Sequence, residues 1–271
     1  MPASRWRTWV WVTALALGVP TLPACQGSGD GSPEPPVERP DALGEGSRVL
    51  MIGNSLTSAN DLAGMVEALA DSAGMRWEVE AITAGGGSLE DHWARTTTRD
   101  RIRTGDWDAV VLQQGPSSLP ESRSNLRQWS AVFDTEIRAA GAWTALYEVW
   151  PESNRLDAFD RVRDSYALAA VDVEGRFLPA GEAWRAAWRS DPAAPLYGLD
   201  GFHPTPAGTY AAALAIFAGL TDRSPVGLPH TLGLPNGGAV VGVEPALAAV
   251  LQAGAAEAAA TYRDYRPDDV P

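Results

Sequence analysis

Residues 48–57 read Arg-Val-Leu-Met-Ile-Gly-Asn-Ser-Leu-Thr, and this stretch decides the fold class. Residues 49–52 form an unbroken apolar run, which predicts a β-strand that is buried on both faces. The run ends at Gly53, and apolar residues then recur at helical spacing between Leu62 and Ala73. A buried strand followed by an amphipathic helix is the repeating unit of an α/β protein with a parallel sheet.

The same alternation of strand and helix continues along the chain. Four further strands are predicted at residues 77–82, 106–112, 143–150 and 176–178. Helical patterns separate or follow them at residues 126–137, 156–166, 206–217 and 244–260. We therefore expect one α/β domain, a three-layer α/β/α sandwich around a mainly parallel sheet of about five strands.

Residues 1–24 have the pattern of a signal for export. Two arginines precede an apolar run at residues 9–19, which is too short to span a bilayer but suits the core of a signal peptide. Residues 22–25, Leu-Pro-Ala-Cys, resemble the bacterial lipobox, in which the cysteine is lipidated. The alternative is an ordinary signal peptide. We expect a protein anchored to the cell envelope through Cys25, at the outer membrane if the cell has two membranes.

The segment after the cysteine differs in composition from the rest of the chain. Residues 25–47 are rich in Gly, Ser, Pro and acidic residues, which predicts a disordered tether. The folded domain is then expected over residues 48–262, with a C-terminal tail at 263–271.

Charge and cysteine content exclude several classes of protein. The chain has 34 acidic and 21 basic residues, a formal charge of −13, so a general nucleic-acid partner is not expected. Its single cysteine excludes an internal disulfide and a cysteine-based zinc site, and three histidines argue against a histidine-rich metal centre. We expect a monomer that touches the membrane only through its anchor.

Ligands of such sheets bind beyond the carboxyl ends of the strands, so the loops that follow the strands carry the candidate site. Ser55 lies on the tight turn after the first strand, near the positive end of the next helix. Its alternative role is helix capping. Gly85, Gly86 and Gly87 follow the second strand, where they can offer N–H donors or form a flexible turn.

Two more segments carry polar residues at this edge. Gln113 and Gln114 follow the third strand, where they can donate N–H bonds to a ligand or cap the strand. Asp200 and His203 precede a helix whose start is marked by Thr205. A carboxylate three residues before a histidine can accept the Nδ1–H bond and leave Nε2 to take a proton, although a lone histidine is commonly structural.

These segments together resemble the motifs of the SGNH (GDSL-like) hydrolases. Residues 53–57 resemble the first block of that family, residues 84–89 the second, and residues 200–204 the final Asp-x-x-His block. The third block departs from the family pattern Gly-x-Asn-Asp, because residues 113–115 read Gln-Gln-Gly. Some carbohydrate-esterase branches are similar in having a glutamine there.

The resemblance implies a role for each matching residue. Ser55 would be the nucleophile, His203 the general base and Asp200 the carboxylate that orients the histidine. The backbone N–H groups of Ser55 and Gly86 and the side chain of Gln114, or else Gln113, would form the oxyanion hole, with Gly85 and Gly87 as rivals of Gly86. No metal or organic cofactor is implied.

Four other residues near this edge are candidate substrate contacts. Asn54 precedes the serine, and His92 falls in a helical stretch after the glycine loop, where it is either structural or lines the pocket. Trp93 and Trp150 follow loops at the same edge and could contact a sugar ring.

The leading hypothesis is a serine esterase of the cell envelope that removes acetyl or another short acyl group from carbohydrate. One alternative is a non-catalytic lipoprotein that binds glycans in the same cleft. A lipase or thioesterase acting on longer acyl chains is another. The combination of Ser55, Asp200 and His203 favours an enzyme, since binding alone needs no nucleophile paired with a base.

Overall fold

The computed structural model describes residues 39–235 and 240–268. The predicted signal peptide, Cys25, the first part of the predicted tether and residues 269–271 lie outside the described residues. Within the described ranges, no helix has both the length and the apolar character that a membrane span requires.

The core is a five-stranded parallel sheet, as the alternation of strand and helix predicts. Its strands are β1 (Arg48–Gly53), β2 (Glu78–Thr83), β3 (Ala109–Leu112), β4 (Trp143–Tyr147) and β5 (Arg176–Leu178). Their order in the sheet is β2-β1-β3-β4-β5, and each neighbouring pair is parallel. In this order β1 lies between β2 and β3, so the loops after β1, β2 and β3 emerge side by side at one edge.

Helices cover both faces of the sheet. They are α1 (Ser55–Ser58), α2 (Leu62–Ser72), α3 (Leu89–Trp93), α4 (Thr96–Thr104), α5 (Pro120–Ala139), α6 (Phe159–Asp172), α7 (Ala180–Ser190), α8 (Pro206–Thr221) and α9 (Pro245–Thr261). Helices α3 and α4 pack on α5, which packs on α6, whereas α2, α7 and α9 pack on α8. Helix α8 is apolar on all sides, and this explains its burial among those neighbours. An antiparallel pair, β6 (Thr231–Gly233) and β7 (Val240–Gly242), was not predicted.

The strands β3 and β4 are shorter than predicted. Residues 106–108 precede β3, and Asp106 has a left-handed backbone (φ 48°), which is incompatible with a strand. Strand β4 ends at Tyr147, because its pairing with β5 ends where Tyr147 lies opposite Leu178. Residues 148–150 therefore lie beyond the strand.

The folded domain begins before the predicted boundary at Arg48. The N–H of Leu43 donates to the Leu220 carbonyl at 2.9 Å and its side chain is buried. The indole of Trp77 donates to the Gly44 carbonyl at 2.7 Å. Residues 39–47 therefore pack on the domain instead of forming a disordered tether, since one apolar side chain anchors a segment whose average composition is polar.

The domain also extends past residue 262, where a tail was expected. The hydroxyl of Tyr265 donates to Asp164 at 2.8 Å, and the guanidinium of Arg163 lies 5.0 Å from the Tyr265 ring centroid. These contacts attach the segment after α9 to α6.

Candidate active site

Ser55 is held at the edge of the sheet by the turn between β1 and α1. Asn54 caps the helix, because its Oδ1 accepts the N–H of Leu56 at 3.0 Å. Ser55 is the first residue of α1 and is half-buried. Its own N–H belongs to the first turn, whose donors have no partner within the helix.

His203 and Asp200 lie on a compact loop before α8. Thr205 caps that helix by accepting the N–H of Gly208 at 3.1 Å. The N–H of Gly198 donates to the His203 carbonyl at 2.7 Å, which closes the loop. Gly201 has φ +69°, and a Cβ at this position would lie 2.3 Å from the Ser153 hydroxyl, so the loop requires a glycine there.

The loop brings the three predicted residues into one hydrogen-bonded chain. His203 Nε2 lies 2.9 Å from Ser55 Oγ, and His203 Nδ1 lies 2.6 Å from Asp200 Oδ2. Asp200 Oδ1 accepts the backbone N–H groups of Phe202 and His203, each at 3.0 Å. The hydrogen bond from the His203 ring, followed by these two backbone donors, lowers the pKa of Asp200 to about 2.

The ionised carboxylate of Asp200 determines which ring nitrogen of His203 carries a hydrogen. An ionised Asp200 can only accept a hydrogen bond, so Nδ1 of His203 carries the hydrogen. With Nδ1 as the donor, Nε2 faces the hydroxyl of Ser55 and is placed to accept its hydrogen.

The glycine loop after β2 adjoins the serine. Gly86 and Gly87 line the same cleft as Ser55, and Gly86 has φ +68°. The N–H of Gly87 donates to the Ala84 carbonyl at 2.9 Å, so that donor is already used. Ser88 then starts α3 through reciprocal bonds with Asp91.

Both glutamines after β3 are buried, but they differ in their hydrogen-bond partners and only Gln114 lines the cleft. Gln113 is buried, and its Oε1 accepts the N–H of Asn54 at 2.9 Å and the hydroxyl of Thr57 at 2.7 Å. Its Nε2 donates to Asn54 Oδ1 at 3.0 Å and to the Gln114 carbonyl. Both hydrogens of this amide are engaged, and Gln113 therefore holds the turn around Ser55.

Gln114 instead lines the cleft. Its Oε1 accepts the N–H of Leu89 at 3.1 Å, and its Nε2 donates to the hydroxyl of Ser117 at 3.0 Å. These two bonds determine which end of the amide is the donor and leave a second N–H hydrogen on Nε2.

The cleft itself is open, with a volume of about 420 Å³, and most of the side chains that line it are hydroxyls and amides. Asn54, the predicted contact beside the serine, is among its lining residues. Ser122, Asn125 and Phe202 also line it and were not predicted. Phe202 lies within the Asp-x-x-His block, whereas Ser122 and Asn125 lie outside every predicted motif and reach the cleft through the packing of α5.

His92 and Trp150 are fully buried and do not line the cleft, which favours the structural alternative for His92 and corrects the prediction for Trp150. His92 is 0% exposed, and its Nε2 lies 2.8 Å from the Gly53 carbonyl, to which it donates. Burial lowers the pKa of His92, so it stays neutral and supports the end of β1. Trp150 is also 0% exposed, and its indole donates to the Phe202 carbonyl at 2.9 Å.

Trp93 points toward α5 and is absent from the lining of the cleft. Its ring meets Phe133 edge-on, with centroids 5.2 Å apart, and lies 6.3 Å from Trp129. Apolar partners on α5 therefore account for its position. Among the described residues, no group of three or more His, Cys, Asp or Glu side chains could hold a metal ion.

Among known proteins, several solved structures are similar to this chain in fold. No family model and no curated protein matches the sequence. A solved structure described as a candidate SGNH hydrolase from Slackia heliotrinireducens is 29% identical; the match covers 65% of this chain and 99% of that one, with a TM-score of 0.56.

Two other solved structures share the fold at lower identity. A DUF4886 family protein from Bacteroides uniformis is 19% identical over 83% of this chain and 98% of that one, with a TM-score of 0.67. An α/β hydrolase from the metagenome of Lake Arreo in Spain is 16% identical over 66% of this chain and 96% of that one, with a TM-score of 0.54. With this fold and its likeness to the Slackia protein, the chain is similar to the SGNH hydrolases.

Proposed function

We propose that this protein is a serine esterase and that Ser55, His203 and Asp200 are its catalytic triad. The observation that carries the proposal is the continuous chain from Ser55 Oγ through both ring nitrogens of His203 to Asp200, with separations of 2.9 Å and 2.6 Å. A glycan-binding cleft needs no such chain, because binding alone uses neither an activated nucleophile nor an oriented base.

The chemistry follows from these positions. Ser55 Oγ attacks the ester carbonyl carbon while His203 Nε2 takes its proton. Asp200 stays ionised and stabilises the imidazolium. His203 then gives the proton to the departing alcohol, which leaves an acyl-enzyme on Ser55. A water molecule, deprotonated by His203, attacks the acyl-enzyme, and the acid product and free Ser55 result.

The developing oxyanion needs donors opposite the nucleophile. We assign this role to the backbone N–H groups of Ser55 and Gly86 and to the side chain of Gln114. Gly87 has its N–H bonded to Ala84, and Gln113 has both amide hydrogens engaged, which favours Gly86 and Gln114 over those two rivals. One such donor contributes about 100- to 1,000-fold to kcat.

The lining of the cleft favours a short acyl group on a polyhydroxylated alcohol such as carbohydrate. Its side chains are mainly hydroxyls and amides, which suit hydrogen bonds to hydroxyl groups, and Phe202 offers an aromatic edge. With the predicted lipobox at Cys25, the proposed setting is the cell envelope.

Hydrolysis of p-nitrophenyl acetate by the purified protein and by its Ser55→Ala variant tests the triad. Ser58→Ala is a matched control, since Ser58 is an exposed serine at the other end of α1. We expect activity and labelling by an organophosphonate in the wild type and the control, and loss of both in Ser55→Ala. Equal turnover by Ser55→Ala and the wild type would contradict the assignment. A folded wild type that neither turns over nor is labelled would favour glycan binding.

A further inference from the structure

A buried tyrosine clamps the main chain of the loop that carries Gln114. Tyr166 lies on α6 and is 0% exposed. Its hydroxyl accepts the N–H of Gln114 at 3.1 Å and lies 2.7 Å from the Gln114 carbonyl and 3.0 Å from the Gly115 carbonyl. One hydroxyl thus contacts three main-chain groups directly after β3.

The loop is also held at its far end by Ser117. Ser117 has a left-handed backbone, with φ 55°, and its hydroxyl accepts the bond from Gln114 Nε2 at 3.0 Å. The hydroxyl of Ser165, the residue before Tyr166 on α6, donates to the Ser117 carbonyl at 2.7 Å. A backbone in this region is strained for a residue other than glycine, and such strain persists where the surroundings impose it.

We propose that Tyr166 is a positioning residue, which sets the place of the Gln114 amide in the oxyanion hole, with Ser117 orienting the same amide. The inference rests on the proposed function. Glutamine has one more rotatable bond than asparagine, so its amide needs more restraint to point at one position. The clamp on the Gln114 main chain and the two bonds to its side chain provide that restraint before substrate binds.

The contacts of Tyr166 distinguish it from a tyrosine that only fills the core. Tyr147 on β4 is also 0% exposed, but within residues 39–235 and 240–268 its hydroxyl has no hydrogen-bond partner. Burial raises the pKa of both tyrosines, so both hydroxyls remain protonated. The two residues therefore differ in what the hydroxyl touches, which makes Tyr147 a matched control.

The first experiment compares Tyr166→Phe with Tyr147→Phe, using p-nitrophenyl acetate. Each change removes one buried hydroxyl and keeps the ring. We expect Tyr166→Phe to lower kcat about tenfold with KM nearly unchanged, because a displaced donor loses part of its effect in the transition state. Tyr147→Phe should keep the wild-type kcat and KM. Titration with an organophosphonate counts the competent sites, so that kcat refers to folded protein.

A double-mutant cycle with Gln114→Ala tests whether Tyr166 acts through Gln114. In the Gln114→Ala background, Tyr166→Phe should lower kcat by less than about twofold, since the donor it positions is gone. Ser117→Ala, which removes the hydroxyl that accepts from Gln114 Nε2, is the second variant and should show the same dependence on Gln114.

Several results would overturn the inference. One is a wild-type kcat in both Tyr166→Phe and Ser117→Ala. Another is a full tenfold loss from Tyr166→Phe in the Gln114→Ala background. A third is an equal loss in Tyr147→Phe. Activity that survives in Ser55→Ala would instead remove the proposed function, and with it this inference, so the two failures are distinguishable.

Discussion

Gln113 and Gln114 are adjacent in the chain but have different roles, so replacing each in turn is the most direct test of the site. Gln113 makes three side-chain hydrogen bonds to the turn around Ser55 and a fourth to the Gln114 carbonyl, whereas the side chain of Gln114 makes two and faces the cleft. Alanine at each position should therefore change different quantities. We expect Gln113→Ala to lower the free energy of unfolding and Gln114→Ala to lower turnover.

The expected losses of stability and turnover follow from the number and position of the hydrogen bonds that each substitution removes. Gln113→Ala removes four buried hydrogen bonds and leaves the Asn54 N–H and Thr57 hydroxyl without their acceptor, which should cost about 3–5 kcal/mol. For a domain of this size that lowers Tm by about 10 °C. Gln114→Ala should cost only about 1–2 kcal/mol in stability, but should lower kcat about 100- to 1,000-fold through loss of an oxyanion donor.

Urea unfolding and p-nitrophenyl acetate kinetics on the same preparations measure both effects. Gln113→Ala is expected to keep kcat within about tenfold per competent site, because its amide hydrogens already have partners. The reasoning is refuted if Gln113→Ala is as stable as the wild type while losing turnover and Gln114→Ala hydrolyses the ester normally. That pattern would give Gln113 the role of oxyanion donor.

Two further predictions concern buried side chains behind the site. Trp150→Phe removes the donor to the Phe202 carbonyl next to His203, so kcat should fall about tenfold with KM unchanged. A raised KM with normal kcat would mean that Trp150 contacts substrate. Burial, followed by the charge of Glu182, raises the pKa of Glu148 well above its usual 4.5, so the folded state retains a proton that the unfolded chain releases. Stability should therefore fall as pH rises above about 4.5, and urea unfolding from pH 5 to 8 should show a weaker fall in Glu148→Gln. Identical pH dependence in both proteins would contradict this.

Much of the fold could be predicted because its signals are local. A continuous apolar run is read directly as a buried strand, and residues 49–52 lie in one. The loop of Asp200 and His203 is also local, since Thr205 and Pro206 mark the start of α8 and the carboxylate lies three residues before the ring. The predicted boundaries at residues 48 and 262 were less accurate. They were drawn from the average composition of a segment, which does not reveal that a single residue such as Leu43 or Tyr265 attaches the segment to the domain.

What the sequence by itself determined is the sheet, the turn that exposes Ser55 and the pairing of Asp200 with His203, since each depends on periodicity, capping or short spacing. Only the tertiary structure decided which glutamine enters the cleft, why His92 and Trp150 are buried, and that Tyr166 clamps the loop after β3. Those features depend on contacts between residues 25 to 59 positions apart, and the approach of His203 to Ser55 spans 148 positions. Such contacts form because packing of the helices on the sheet brings distant segments together, and no local pattern encodes them.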